Sequence, residues 1–529
     1  MYDYILKNGI LVDGLRNSPI KATLYIKNGR IKRISEECDE EGTEVIDCEG
    51  KVIAPGFIDL HTHSDACALN TKKAESMINQ GVTMQIGGNC GISLIPSTPE
   101  RKDEIKAFFT RTIEIVPEDK NIELNSMEDY VKLSKINNLA INSGLLVGHG
   151  TLRAAVIGFE DKKATEEEME EMKKLLENEL KNGAFGMSLG LIYPPSSYGD
   201  IEEFAELSKV IKNNDGIISV HMRNEADGVF DSVDEMIQVA EKSGVHLHIS
   251  HLKLMGKPQW GKSKQLLNKI EEARQRGCKI TCDQYPYEAT STGLAALVPG
   301  WALNGGNSKM LENLELKEEK LINEMTEIMN KRGGPEAVVV TSTHGYLPEM
   351  DGKSLNEIAK IYETTPIDAA IRVLLECKGE VSAIYFSMHL DDVYNIMKSM
   401  DIAVGSDGID FGYDLNYNPH PRNFGTFPRF FQTVREQKLM PLEDAVYKVS
   451  GLPAKIINQT DRGVLRVDNI ADVTVFDYDE IEDMSSFIKS PVKPKGIEYV
   501  FVNGKPALFD GKQTEYREGK VLLSKAGEE

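Results

Sequence analysis

Six side chains of metal-ligating type each close, or closely follow, a short β-rich run. His61 and His63 stand two apart in Phe57-Ile58-Asp59-Leu60-His61-Thr62-His63, and residues two apart on a strand point the same way, so both imidazoles share one face. His221, His251 and Asp407 close Ile218-Ser219-Val220-His221, Ile249-Ser250-His251 and Gly405-Ser406-Asp407. Cys90 sits in Gly87-Gly88-Asn89-Cys90-Gly91, a glycine-rich loop whose backbone allows close approach, and a thiolate there can ligate or bridge a metal. Any one of these has an ordinary explanation; together, at the ends of separate runs, they describe a metal site. Imidazole, thiolate and carboxylate are metal-ligand types, and a metal-bound water is a chemistry such a site can supply. Asp407 is the best-placed general base.

The elements that must position these residues are legible as periodicity. Short apolar runs alternate with amphipathic helices, the pattern of βα units around a parallel sheet. Eight strand candidates emerge: Phe57–His61, Thr83–Gly87, Gly144–Gly148, Ala184–Ser188, Ile217–His221, His246–Ser250, Ile280–Asp283 and Ile402–Ser406. Eight such units predict a (β/α)8 barrel, whose C-terminal face gathers the loops that carry chemistry. Thr165 with Glu168 is a capping-box signature, followed by Met169, Met172, Leu175, Leu176 and Leu180 at helical spacing and by Gly183 as a stop. Parity in the run ending at His251 puts Leu247 and Ile249 on its side and turns His246 and His248 toward the covering helices. His149 and Arg153 end the third run and are read as supports of the site; His344 and His389 carry no assignment.

Val338–Ser342 and Ala383–Ser387 are additional runs between the seventh and eighth strands, so an inserted subdomain or lid is expected at about 288–343. Its apolar stretch Leu294 to Trp301 either closes over a substrate chain or packs the insert on the barrel. Both chain ends carry Asn-Gly and Asp-Gly hairpin turns and predict one small β-sandwich domain from residues 1–54 and 464–529, leaving 55–463 to the barrel.

A net charge of −22 disfavours nucleic acid and anionic membranes as partners. No apolar run reaches the ~20 residues of a membrane helix. The start is not a signal peptide, and seven scattered cysteines do not form a disulfide framework, which together suggest the cytoplasm.

The run Pro55-Gly56-Phe57-Ile58-Asp59-Leu60-His61-Thr62-His63 resembles the opening metal motif of the amidohydrolase superfamily. Many of those enzymes bridge two metals with a lysine on the fourth strand; here Gly186-Met187-Ser188-Leu189-Gly190 has none, and the Gly-Asn-Cys-Gly loop resembles the D-aminoacylase branch. Gly190 to Pro195, His221 to Glu225, Ser250 to Lys253, Tyr285-Pro286-Tyr287, Gly405 to Gly408 and His420-Pro421-Arg422 extend the resemblance along nearly the whole chain.

That resemblance implies one tightly bound zinc on Cys90, His221 and His251, and a weaker divalent site on His61, His63 and Asp407. It implies hydrolysis of N-acyl-D-amino acids, with Asp407 as general acid/base and Tyr193 near the scissile carbonyl. Lys253, Tyr285, Ser291 and Arg422 match the set that grips the substrate carboxylate. D-stereospecificity comes from the resemblance alone. A related amidohydrolase opening a cyclic amide, or cleaving a D-amino-acid-containing dipeptide, is the alternative. The acyl group, the amino-acid side chain and the oligomeric state are not encoded in these patterns.

Overall fold

The computed structural model describes residues 1–38, 41–68, 74–113, 124–304, 306–415 and 417–528. Its parallel strands are Phe57–Asp59, Val82–Gly87, Asn142–Leu145 continued by Val147–Gly148, Gly186–Gly190, Ile217–His221, His246–Ile249, Ile280–Gln284 and Ile402–Val404. They pair in chain order as a three-stranded and a six-stranded sheet, joined through the third strand, which Leu146 interrupts. A parallel bridge between Thr62 and Gly408 closes the ring, with the His63 N–H donating to Gly408 O and the Asp407 N–H to His61 O, both at 2.8 Å. This is the (β/α)8 barrel that the sequence predicts.

The helices form where the periodicity asks for them. In Glu166–Lys181 the Thr165 and Glu168 side chains make the reciprocal capping box, and Met172, Leu176 and Leu180 are buried against the barrel. Leu247 and Ile249 of the sixth strand join the same cluster with Val233, Met236 and Leu266 of the neighbouring helices. Each such side chain is worth roughly 1.5–3 kcal/mol on burial. Their partners therefore point inward: the His248 ring bonds Thr281 Oγ1 and Asp283 Oδ2, both at 2.9 Å, and His246 bonds Thr281 at 2.9 Å. This reverses the parity expected from His251. The strand stops at Ile249, and His251 takes a left-handed backbone (φ 35°), so alternation cannot be counted back from it.

Between the seventh and eighth strands lies an antiparallel layer in the order Thr290–Gly293, Ser382–Tyr385, Val338–Ser342. Helices such as Glu319–Lys331 and Pro366–Glu376 pack on it around Leu297, Met325, Val340 and Ile371. The layer reaches past the Thr343 bound read from the sequence, because its central strand is Ser382–Tyr385. Its edge strand, Thr290–Gly293, follows directly from the seventh barrel strand.

Both chain ends interleave in one nine-stranded sheet, where Val52–Pro55 pairs antiparallel with Val473–Phe476 and parallel with Tyr2–Leu11. Val52–Pro55 leads straight into the first barrel strand, so this sheet fixes where the strand that carries His61 begins. Among the described residues, no helix is long and apolar enough to cross a membrane.

Candidate metal centre

Ligand-type atoms converge at the C-terminal mouth of the barrel. His61, Cys90, His251 and Asp407 offer atoms all within 4.8 Å of one another, as do His221, Glu225 and His251. Cys90 Sγ lies 3.4 Å from His61 Nε2 and 3.6 Å from His251 Nε2, and His221 Nδ1 lies 3.0 Å from His251 Nε2. Asp407 Oδ1 is 3.0 Å from His63 Nε2 and 3.3 Å from His61 Nε2. All six side chains read from the sequence therefore share one pocket.

Local backbone explains how they turn inward. Cys90, His251 and Asp407 hold left-handed conformations, φ 53°, 35° and 52°, which cost a non-glycine residue about 1–3 kcal/mol each and persist only where the surroundings enforce them. Gly190 is part of that enforcement, since a Cβ there would lie 1.9 Å from the Cys90 carbonyl oxygen.

Two carboxylates outside the expected set orient the rings. Asp283 Oδ2 accepts from His61 Nδ1 at 3.1 Å and from His248, while its Oδ1 accepts the His251 N–H at 2.7 Å. Glu225 Oε1 lies 2.9 Å from His251 Nδ1. The carboxylate on His61 Nδ1 fixes the proton there and aims Nε2 at the cluster, the usual support for a metal-ligating histidine, whereas His251 Nδ1 is shared between Glu225 and Lys253. Sequence signals for both existed: Asp283 ends a strand as Asp407 does, and Glu225 follows His221 by four residues.

The electrostatics favour a cation. Burial opposes ionisation of Cys90, yet His61, His221 and His251 hold its thiol well below the usual range, toward the thiolate that binds metal. Burial likewise opposes the Asp407 carboxylate, but Arg422, His61 and His251 hold it well below the ordinary value. Buried His63 Nδ1 and His221 Nε2 make no hydrogen bond, the latter standing 3.6 Å from Glu225 Oε2, while His221 Nδ1 is the nitrogen turned to His251. The residues present thus fit a zinc ion.

Directly beside the cluster Lys253, 4% exposed, donates to Glu225 Oε1 at 2.6 Å with its Nζ 2.6 Å from His251 Nδ1, and Arg422, 8% exposed, donates to Asp407 Oδ2 at 2.6 Å. The Tyr285 ring lies between these cations, 5.8 Å from Lys253 Nζ and 5.3 Å from the Arg422 guanidinium, and its buried hydroxyl has no hydrogen-bond partner. Ser291 lies on the edge strand of the insert. The Tyr193 ring packs edge-on against His221 at 5.3 Å, and burial with the nearby Cys90 raises its pKa, keeping the hydroxyl protonated.

The loop bearing Tyr193 is tied down from inside. His149 bonds Ser196 Oγ at 2.9 Å and Glu203 Oε1 at 2.8 Å, and Arg153 donates to both Glu203 oxygens at 2.6 Å. His149 and Arg153 are fully buried beneath the site. His344 and His389 belong elsewhere, near Ser382 of the insert and against the Trp260 ring.

Residues 52–507 match the Amidohydrolase family, and the chain belongs to that family of hydrolases acting on amide bonds, in its D-aminoacylase group. It is 32% identical over 526 residues to the D-aminoacylase of Alcaligenes xylosoxydans xylosoxydans, covering 99% of this chain and 98% of that one. The solved N-acyl-D-glutamate deacylase of Bordetella bronchiseptica, complexed with zinc and a phosphonate mimic of the tetrahedral intermediate, is 30% identical, with a TM-score of 0.83 over 99% of this chain and 100% of that one. A D-aminoacylase studied for its binuclear metal centre, with one-metal activation and second-metal attenuation, gives 31% identity and a TM-score of 0.81, over the same 99% and 100%.

Proposed function

We propose that this chain hydrolyses the amide bond of N-acyl-D-amino acids to a carboxylate and a free D-amino acid, using zinc held by Cys90, His221 and His251. His61, His63 and Asp407 form a second, weaker divalent site. The observation that carries this reading is the juxtaposition of a buried thiol and imidazole cluster with two buried cations beside it. A bound zinc ion supplies a nucleophilic water at neutral pH and polarises the amide carbonyl.

The chain's own residues do the rest. Arg422, Lys253 and the hydroxyls of Tyr285 and Ser291 bind the α-carboxylate, the guanidinium through parallel hydrogen bonds. Asp407 takes the proton of the attacking water and passes it to the leaving amine. Its low pKa keeps it ionised and ready to accept at neutral pH. The Tyr193 hydroxyl donates to the carbonyl oxygen as negative charge develops there. Lys253 and Arg422 argue against a cyclic amide, which presents no free carboxylate to grip. The chain acts on a small molecule, and six free cysteines among the described residues suit a reducing cytoplasm.

The test is release of free amino acid from paired N-acetyl-D- and N-acetyl-L-amino acids by metal-analysed protein. Zinc-dependent cleavage of the D series alone is expected. Exclusive cleavage of the L series would overturn the stereochemical reading, and cleavage of neither by zinc-loaded protein would redirect the search to cyclic amides or dipeptides.

A further inference from the structure

We propose that His420 is a positioning residue that sets the carboxylate grip by tying the start of the Arg422 helix to the insert strand that bears Ser291; this rests on the functional reading above. The imidazole is buried, and both ring nitrogens are engaged. Nδ1 accepts the Arg422 backbone N–H at 3.0 Å, and Nε2 donates to the Ala289 carbonyl at 3.0 Å. An N–H can only donate and a carbonyl can only accept, so the two contacts fix one neutral tautomer. Burial, with Arg422 nearby, also holds the imidazole pKa well below its usual value, in agreement with that geometry.

Each end of this bridge leads to a carboxylate contact. Arg422 opens the helix Arg422–Gln437, whose N-cap, Pro421, offers no side-chain hydrogen bond, so His420 satisfies a first-turn N–H in its place. Ala289 immediately precedes Thr290–Gly293, the strand with Ser291. The ring is held edge-on between Tyr287 and Phe487, both at 5.2 Å, with Tyr285 at 6.1 Å. Tyr287 is anchored in turn by its hydroxyl on Asp483 at 2.9 Å. One imidazole thus sets the spacing between the barrel helix and the insert, and a shift of the ring would move two members of the grip together.

The test compares the zinc-loaded wild type with His420→Phe, which keeps the aromatic packing and removes both bonds, and with His420→Asn, whose amide oxygen can replace Nδ1 as acceptor for the Arg422 N–H. For the N-acetyl-D-amino acid that the wild type cleaves fastest, His420→Phe is expected to raise KM about tenfold with kcat within about threefold, and His420→Asn to recover most of that loss. Inhibition by acetohydroxamate, which is directed at the metal and has no carboxylate, should be unchanged in both. An unaltered KM in His420→Phe would overturn the proposal. So would a joint loss of KM, kcat and acetohydroxamate inhibition without recovery in His420→Asn, the mark of a general structural role. Zinc-loaded wild-type enzyme that cleaves none of a panel of N-acetyl-D-amino acids would show that the functional reading has failed first, and the proposal would fall with it.

Discussion

The two walls of the pocket are built by different means. On the metal wall, His61, Cys90, His221, His251 and Asp407 sit on or just beyond the ends of barrel strands, so their positions follow from strand register and from three enforced left-handed residues. On the second wall, which adjoins the first through the Lys253–His251 and Arg422–Asp407 contacts, Lys253, Tyr285, Ser291 and Arg422 come from loops, a helix start and the edge of the insert. The chemical states differ too. The metal wall leaves His63 Nδ1 and His221 Nε2 without a hydrogen bond, whereas the charges of the second wall are already neutralised by Glu225 and Asp407. In the proposed reaction the barrel would supply reactivity through a cluster suited to a cation, and the loops would supply selection through charges that exchange an internal partner for a substrate carboxylate.

Breaking one wall should therefore leave a signature different from breaking the other. Asp407→Asn is expected to lower kcat by about 10²–10⁴ with KM changed far less, measured on N-acetyl-D-amino acids under saturating zinc. A KM effect as large as the kcat effect would place Asp407 in substrate binding. Arg422→Lys keeps the charge and loses the fork; it should raise KM about 10–100-fold and leave zinc content at wild-type level. Loss of zinc in that variant would mean that the walls are not separable.

Smaller effects sharpen the same division. Asp283→Asn should weaken zinc binding about tenfold, read by competition with a chelator, because His61 and His251 lose a shared orienting acceptor while every ligand remains. On a separate scale stands a pH effect on stability. Burial chiefly lowers the pKa of His149, His246 and His420, that of His246 to about 2, so these rings stay neutral in the folded chain. Their contribution is complete above the unfolded value of about 6.5 and is lost as pH falls below it, by about 1.4 kcal/mol per unit for each histidine. Because the pKa values of His61, His63 and His251 are raised and act in the opposite sense, the quantity to measure is a difference: His420→Phe should lose less stability to urea than the wild type between pH 7.5 and pH 5.5, and an identical change in both would contradict neutral burial of His420.

The contrast between the walls also separates what the amino-acid sequence makes legible from what it hides. Short apolar runs mark all eight barrel strands, and a ligand at a strand tip follows from the run that precedes it. The runs do not mark where a strand turns left-handed, which is why His246 and His248 point opposite to their expected side. Local pattern also cannot show that Ser382–Tyr385 pairs with strands on both sides, so the insert layer extends past Thr343. Lys253 and Arg422 defy composition more deeply. Charged residues are ordinarily solvated, and nothing in their neighbours announces the buried Glu225 and Asp407 that hold them; only the family resemblance points there.

The most direct test is a zinc titration of metal-stripped protein, wild type beside Cys90→Ala, followed by hydrolysis of an N-acetyl-D-amino acid. Full wild-type activity should return near one equivalent of zinc, and Cys90→Ala should lose at least about 10³-fold at the same zinc concentration. Activity in the stripped protein, or wild-type activity in Cys90→Ala, would contradict a zinc centre built on that thiolate.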